Sequence, residues 1–238
     1  MSPIRSVVGT LAAALALCAV LCAQALGFGT IQGGPGDQRN EHMHMTRLAL
    51  QCGPPLGKVL PDCFEPATLD ALAGTPARPW DGVGWPDNPP PQGATFHCDD
   101  GDFVLLAPAA GTYGQTQAEA QAAFTACRNV IVSRLETARD QAESLLDAKS
   151  RIDLQDVALP CNFGRPFAFG PTAKCRVLAH IGAALHVAQD FYSHTNWSDA
   201  PPPRQSDQIP NGLNNAGVAP FLDVGVKAPA FPTGLVSG

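Results

Sequence analysis

The chain has 238 residues, 15 Lys and Arg against 21 Asp and Glu, and a formal charge of −6. That balance excludes a basic patch able to bind duplex nucleic acid regardless of sequence, but not a nuclease whose metal ions supply the positive charge a phosphate needs. Eight cysteines in a chain with an apolar N-terminus point to an exported protein with disulfides.

Residues 1–27 read as a secretory signal peptide: Arg5, an apolar run from Val7 to Leu21, then small residues. The run is short for a retained membrane span. Neither Cys18 nor Cys22 follows a small residue, which argues against a lipoprotein. Two cleavage points have small residues in the required positions. One would leave Leu26 first and the other Phe28. Residues 28–238, about 210 in number, suffice for one sizeable core. Six cysteines remain: Cys52, Cys63, Cys98, Cys127, Cys161 and Cys175. Without a CxxC pair they read as disulfides, and the neighbours Cys52–Cys63 and Cys161–Cys175 are the first pairings expected.

Phe28 to Arg39 is Gly-rich and reads as extended or loop. Asn40 is placed to cap a helix running to about Gln51, on which His42, Met45 and Ala49 share a face. His44 lies about 160° from His42, so only one of the two can point inward. A short helix follows Pro66 and closes at Gly74. Residues 75–93 are dense in Pro, Gly and Trp and predict a long ordered loop over the surface. His97, Asp99, Asp100 and Asp102 then crowd one turn. A solvated acidic loop is expected there, because the full spacing of a calcium loop is absent. FVLL at 103–106 is the best strand run, and it is short. Thr116 and Glu119 form a capping box ahead of a long helical stretch reaching Arg151, one scaffold helix or two with a bend. The fold class expected is mainly α.

The most informative stretch is Ala173 to Trp197. Val177, Ile181, Ala184, Leu185, Ala188 and Phe191 recur at helical steps and predict an apolar stripe. His186, Asp190 and His194 interrupt it at i, i+4, i+8 and lie within about 80° of one another, a row of potential metal ligands. Two imidazoles and a carboxylate on such a face are costly to bury unless paired or bound to a metal. Ala179, Gly182 and Ala183 are small enough to admit another backbone or an ion. His180 sits about 120° round the helix from His186 and reads as a packed histidine outside the row.

The segment HVAQDFYSHTNW, His186 to Trp197, resembles the signature of the HET-C-like and CinY-like secreted proteins, relatives of the zinc-dependent phospholipase C and P1 nuclease superfamily. The local core is QDFYSHTNW, and weaker similarity extends from Phe28 to about Trp197. The resemblance implies a single-domain helical bundle with long Pro- and Gly-rich loops, secreted, binding zinc and hydrolysing a phosphoester such as a phospholipid or nucleic acid. It implies no transmembrane anchor in the mature form and no particular protein partner. By the same resemblance, Phe28 takes the place of an N-terminal aromatic residue whose free amine and carbonyl bind zinc. His42 matches an early helix histidine and His97 a second histidine. Asp87 matches the aspartate, with Asp81 as the alternative, and His186 and Asp190 match an HxxxD pair. Asp87, His97, His186 and Asp190 suffice for one zinc ion. A second would take the Phe28 terminus and His42, with Asp190 bridging. Asp87 and Asp190 are the candidate catalytic carboxylates.

The sequence also departs from that pattern. His194 follows Asp190 by four residues, as in the HET-C-like proteins, whereas the phospholipases and nucleases place the next histidine further along. No His, Glu or Cys occurs after His194, so a third zinc has only that ligand, and the ending in FPTGLVSG is compatible with a C-terminal truncation. Two other readings compete with the hydrolase. One is a non-catalytic secreted protein whose metal cluster and disulfides stabilise a helical scaffold. The other is a disulfide-stapled binding module without metal.

Overall fold

A computed structural model describes residues 28–33, 38–52, 63–89, 91–101, 115–161, 163, 172–200 and 212–237. Residues 1–27, read above as a signal peptide, the run 103–106 and Asp102 lie outside the described residues. The fold is mainly helical, and the described residues contain isolated β-bridges but no strand. Among the described residues five α-helices follow in order: α1 (Glu41–Leu50), α2 (Pro66–Ala73), α3 (Gln117–Ala142), α4 (Leu154–Ala158) and α5 (Ala173–His194). None of them is long and apolar enough to cross a membrane.

Helix α5 is the centre of the packing. Thr172 caps its start by accepting the Cys175 N–H. The expected stripe understates its burial: Leu178, Ala179, Gly182, Ala183 and Val187 are buried, while Val177, Ile181, Leu185 and Ala188 are half-buried. The reason is that α5 has neighbours on more than one side. A helix covered all round has no single apolar face to read. On one side lies α3, which starts from the capping box of Thr116 and Glu119. Phe124 packs against Phe191, Arg134 meets His180, and Arg176 donates to Gln141, so the two helices run antiparallel. The predicted long helical stretch ends at Ala142, continues as a 3-10 turn over Glu143–Leu145, and then breaks.

The other side of α5 corrects the surface-loop expectation for residues 75–93. Gly82–Asp87 form a 3-10 segment with Gly82 through Pro86 buried, laid directly on α5 at Gly182. A Cβ on Gly182 would sit 2.4 Å from the Gly82 carbonyl carbon. Gly82 itself has φ 47°, and a Cβ there would lie 1.9 Å from the Leu72 carbonyl oxygen. Glycine at both positions lets the segment wedge between α2 and α5. This is the close backbone approach that the small residues of α5 allow.

Three disulfides tie the layers together: Cys52–Cys63, Cys161–Cys175 and Cys98–Cys127. The first two are the pairings expected from sequence. The third fastens the turn after His97 to α3. Bridges of this kind contribute about 2–4 kcal/mol each, mainly by restricting the unfolded chain. The C-terminal segment is also part of the core. Phe221 and Phe231 join Phe124, Phe191 and Trp197. Leu235 and Val236 are buried, and Asn196 holds the segment by donating to Gly234 O and accepting from the Val236 N–H. Residues 231–237 therefore pack into the fold, Leu235, Val236 and Ser237 being buried.

Candidate metal centre

Asp190 is the hub of a polar cluster inside this helical frame. Its Oδ2 lies 2.9 Å from His97 Nδ1 and 3.0 Å from His186 Nε2. Its Oδ1 lies 3.2 Å from His42 Nε2 and 3.9 Å from His194 Nε2. Asp87 Oδ1 stands 3.6 Å from His186 Nε2 and 3.7 Å from His97 Nδ1. The side chains of His42, His186 and Asp190 expose at most 2 % of their surface, while Asp87, His97 and His194 expose 26 %, 15 % and 16 %. The cluster thus has a closed wall and a partly open rim.

Each buried imidazole is held by its outward nitrogen. His186 Nδ1 lies 2.9 Å from Val83 O. A carbonyl only accepts, so Nδ1 carries the proton and Nε2 of the neutral ring is left with its lone pair toward Asp190. Gln189 does the same for His42. Its amide nitrogen donates to Thr46 Oγ1, so its Oε1 is free to accept from His42 Nδ1 at 2.8 Å. His42 Nε2 is then a buried nitrogen without a hydrogen-bond partner, close to Asp190 Oδ1 but badly directed for a hydrogen bond to it. A buried nitrogen left unpaired in this way is expensive unless a cation sits against it. Metal-ligating histidines are oriented by this kind of bond from the other ring nitrogen.

The charge distribution fits a cation. Burial works against the Asp190 carboxylate, yet His186, His42 and His97 together hold its pKa well below the ordinary value, so it is anionic. Burial and then Asp190 and Gln189 act in opposite senses on His42, with the carboxylate prevailing, so its pKa is raised. His97 is raised in the same way by Asp190, Asp87 and Asp99 against its burial. In fully buried His186, burial prevails and the pKa is lowered. Two ligand triads have donor atoms within 4.8 Å of one another: His42, Asp87 and His186, and His97, His186 and Asp190. Imidazole and carboxylate donors of this mixture suit zinc and other divalent first-row metals.

The structure therefore gathers His42, Asp87, His97, His186 and Asp190. It differs from the sequence division in one respect: His42 shares a triad with Asp87 and His186, its ring stacked on His186 at 4.1 Å between centroids. His194 is turned partly away, its Nδ1 donating to Asp99 Oδ1 at 2.7 Å. Asp99 is thus a loop residue, still 38 % exposed, that also reaches the cluster. Phe28 reaches the end of α5, where its backbone N–H donates to Ser193 Oγ at 3.1 Å and its ring meets His42 edge-on at 6.1 Å. Glu41 holds that segment by accepting the Gly29 and Arg39 N–H groups. Asn40, expected as the cap of α1, has a left-handed backbone at φ 57° and its side chain makes no cap bond. On α1 the buried face is His42, Met43 and Thr46, with Ala49 exposed, and His44 is exposed as well. Asp81 faces Arg78 at 3.3 Å, away from the cluster's contacts, and Asp87 takes the position in the cluster.

Sequence reasoning passed over Gln189, Thr46, Thr30 and the Val83 carbonyl. Thr30 Oγ1 donates to Asp87 Oδ2 at 2.5 Å and so fixes the one rim carboxylate. Two of these carried a signal: Gln189 adjoins Asp190, and Thr46 is one helical turn after His42. Thr30 and Val83 carried none, since their roles depend on how loops pack.

No protein-family model, curated protein or solved structure matches this chain. The geometry and chemistry of the cluster carry the functional reading.

Proposed function

We propose that the chain is a secreted, zinc-dependent phosphoesterase-like protein of the phospholipase C and P1 nuclease type, hydrolysing a phosphodiester of phospholipid or nucleic acid. The observation that supports this reading best is the hydrogen-bonded orientation of His42 and His186, whose Nε2 atoms converge on Asp190 beside the half-open Asp87 and His97. Asp87, His97, His186 and Asp190 would hold one ion. His42 and a free Phe28 terminus would hold a second, with Asp190 between them, and His194 is the one residue offered to a third. Bound zinc would supply a Lewis acid for a phosphoryl oxygen and lower the pKa of a water. The residues of the chain do the rest. Gln189 and Val83 fix the two buried rings, and Thr30 orients Asp87. Phe28 and the 3-10 segment close the inner wall against water, while Asp87, His97 and His194 leave a side through which a phosphate can enter.

The test is hydrolysis of bis(p-nitrophenyl) phosphate, phosphatidylcholine vesicles and a single-stranded oligonucleotide by the secreted protein with zinc and after chelation. Product from one of them that vanishes with the chelator and returns with zinc is expected. A second reading, a metal centre that only stabilises the scaffold, draws support from the near-complete burial of His42, His186 and Asp190, as structural sites are closed. Bound zinc with no turnover on any of the three substrates would favour it.

A further inference from the structure

Two of the rim ligands stand on short 3-10 segments, and short segments of that kind do not hold a side chain rigidly by themselves. Asp87 ends the segment Gly82–Asp87, and His97 follows the segment Ala94–Phe96. Each segment carries an aromatic residue next to its ligand: Trp85 two residues before Asp87, Phe96 immediately before His97. The two rings meet edge-on at 5.9 Å between centroids. The Arg134 guanidinium of α3 lies against both, 5.3 Å from the Trp85 ring and 5.2 Å from the Phe96 ring. Its Nη1 also lies 3.3 Å from His180 Nδ1 on α5. Arginine only donates, so that nitrogen of His180 accepts, and one cation joins α3, α5 and both rim segments.

We propose that Arg134 is a positioning residue for the metal centre, holding Asp87 and His97 at the spacing an ion requires through Trp85 and Phe96. A planar guanidinium suits the task because it stacks on ring faces while bonding in its own plane, which an ammonium or an apolar side chain does not do. The other ligands, His42, His186 and Asp190, stand on α1 and α5, and of their supports only the Val83 carbonyl bonded to His186 shares the Trp85 segment, so Arg134 acts chiefly on the rim. This inference rests on the metal reading of the site.

The experiment is zinc titration of the full-length secreted protein, wild type and variants, with the cobalt(II) absorption spectrum as a report on ligand geometry and amide hydrogen exchange of the metal-free protein. Arg134→Met is expected to weaken zinc binding by about ten- to a hundred-fold, the range typical of residues that orient ligands, and to alter the cobalt spectrum. Arg134→Lys should recover part of the affinity, because it keeps the cation. The amides of Asn88 and His97, which close the two segments on Trp85 O and Ala94 O, should exchange faster in Arg134→Met. In an Asp87→Asn, His97→Ala background the Arg134 substitution should add little further loss. If Arg134→Met does not fold, Phe96→Leu removes one ring from the same clamp and carries the same expectation. Equal zinc affinity and an unchanged spectrum in a folded variant would overturn the clamp while leaving the metal reading intact. A folded wild type that binds no zinc would sink the metal reading and the clamp with it.

Discussion

The wall and the rim of the cluster are built in opposite ways. The wall residues His42, His186 and Asp190 project from helices and are buried; Gln189 on α5 and Thr46 on α1 steady His42, and the Val83 carbonyl of the 3-10 segment steadies His186. The rim residues Asp87 and His97 project from 3-10 turns, are partly exposed, and stand beside Trp85 and Phe96, with Thr30 of the N-terminal segment holding Asp87. A helix fixes angles between ligands before any metal arrives. A turn fixes them only when something else holds the turn. The wall should therefore govern stability and the rim access and reactivity.

The largest effect is expected at the hub. Asp190→Ala leaves three imidazoles around a lost carboxylate, and breaking a buried charged pair typically costs about 3–5 kcal/mol. Thermal unfolding should show a marked drop together with loss of bound metal. Asp87→Asn, on the rim, should reduce bound zinc with a much smaller change in melting temperature, because Thr30 can still bond the amide oxygen. If the two variants lose stability alike, the division into wall and rim is wrong.

The next effect separates two histidines on one helix. His42→Ala removes a stacked, buried ring and should lower both zinc content and stability, whereas exposed His44→Ala should leave both near wild type. Equal effects would count against the assignment.

The smallest effect on bound metal is expected at Asp81, which lies outside the cluster and serves as its control. Burial pushes Asp81 up from 3.8 to about 6, with Arg78 opposing. A folded pKa above the unfolded one gives a contribution to stability that is complete below pH 3.8 and lost as pH rises through about 6. Wild type should thus lose stability relative to Asp81→Asn between pH 4 and 6.5, with no change in zinc content at pH 7.5. Denaturant unfolding across that range reads the difference, and a flat difference would show that Asp81 is not burdened by its burial.

Much of the wall was legible because helices impose spacing. His186 and Asp190 stand i, i+4, and the angle between His42 and His44 allowed only one of them to point inward. The capping box of α3 and two disulfides were equally local. The row was less faithful at His194, since a helix direction says nothing of Asp99, which reaches His194 from a loop. The burial of residues 82–86 escaped because Pro, Gly and Trp density marks irregular backbone but not depth. Gly182 and Gly82 decide that depth by letting two backbones touch. The all-round burial of α5 was hidden for a related reason: half-buried Val177 and Ile181 keep the helical period, while the residues packed most tightly are small.

Whether the cluster around Asp190 binds a metal ion is tested most directly by elemental analysis of the purified protein alongside His186→Ala and Asp190→Ala. Zinc bound stoichiometrically by the wild type and lost in both variants is the predicted result. A folded wild type without metal that takes up none from added zinc, or the same metal content in all three proteins, would contradict it.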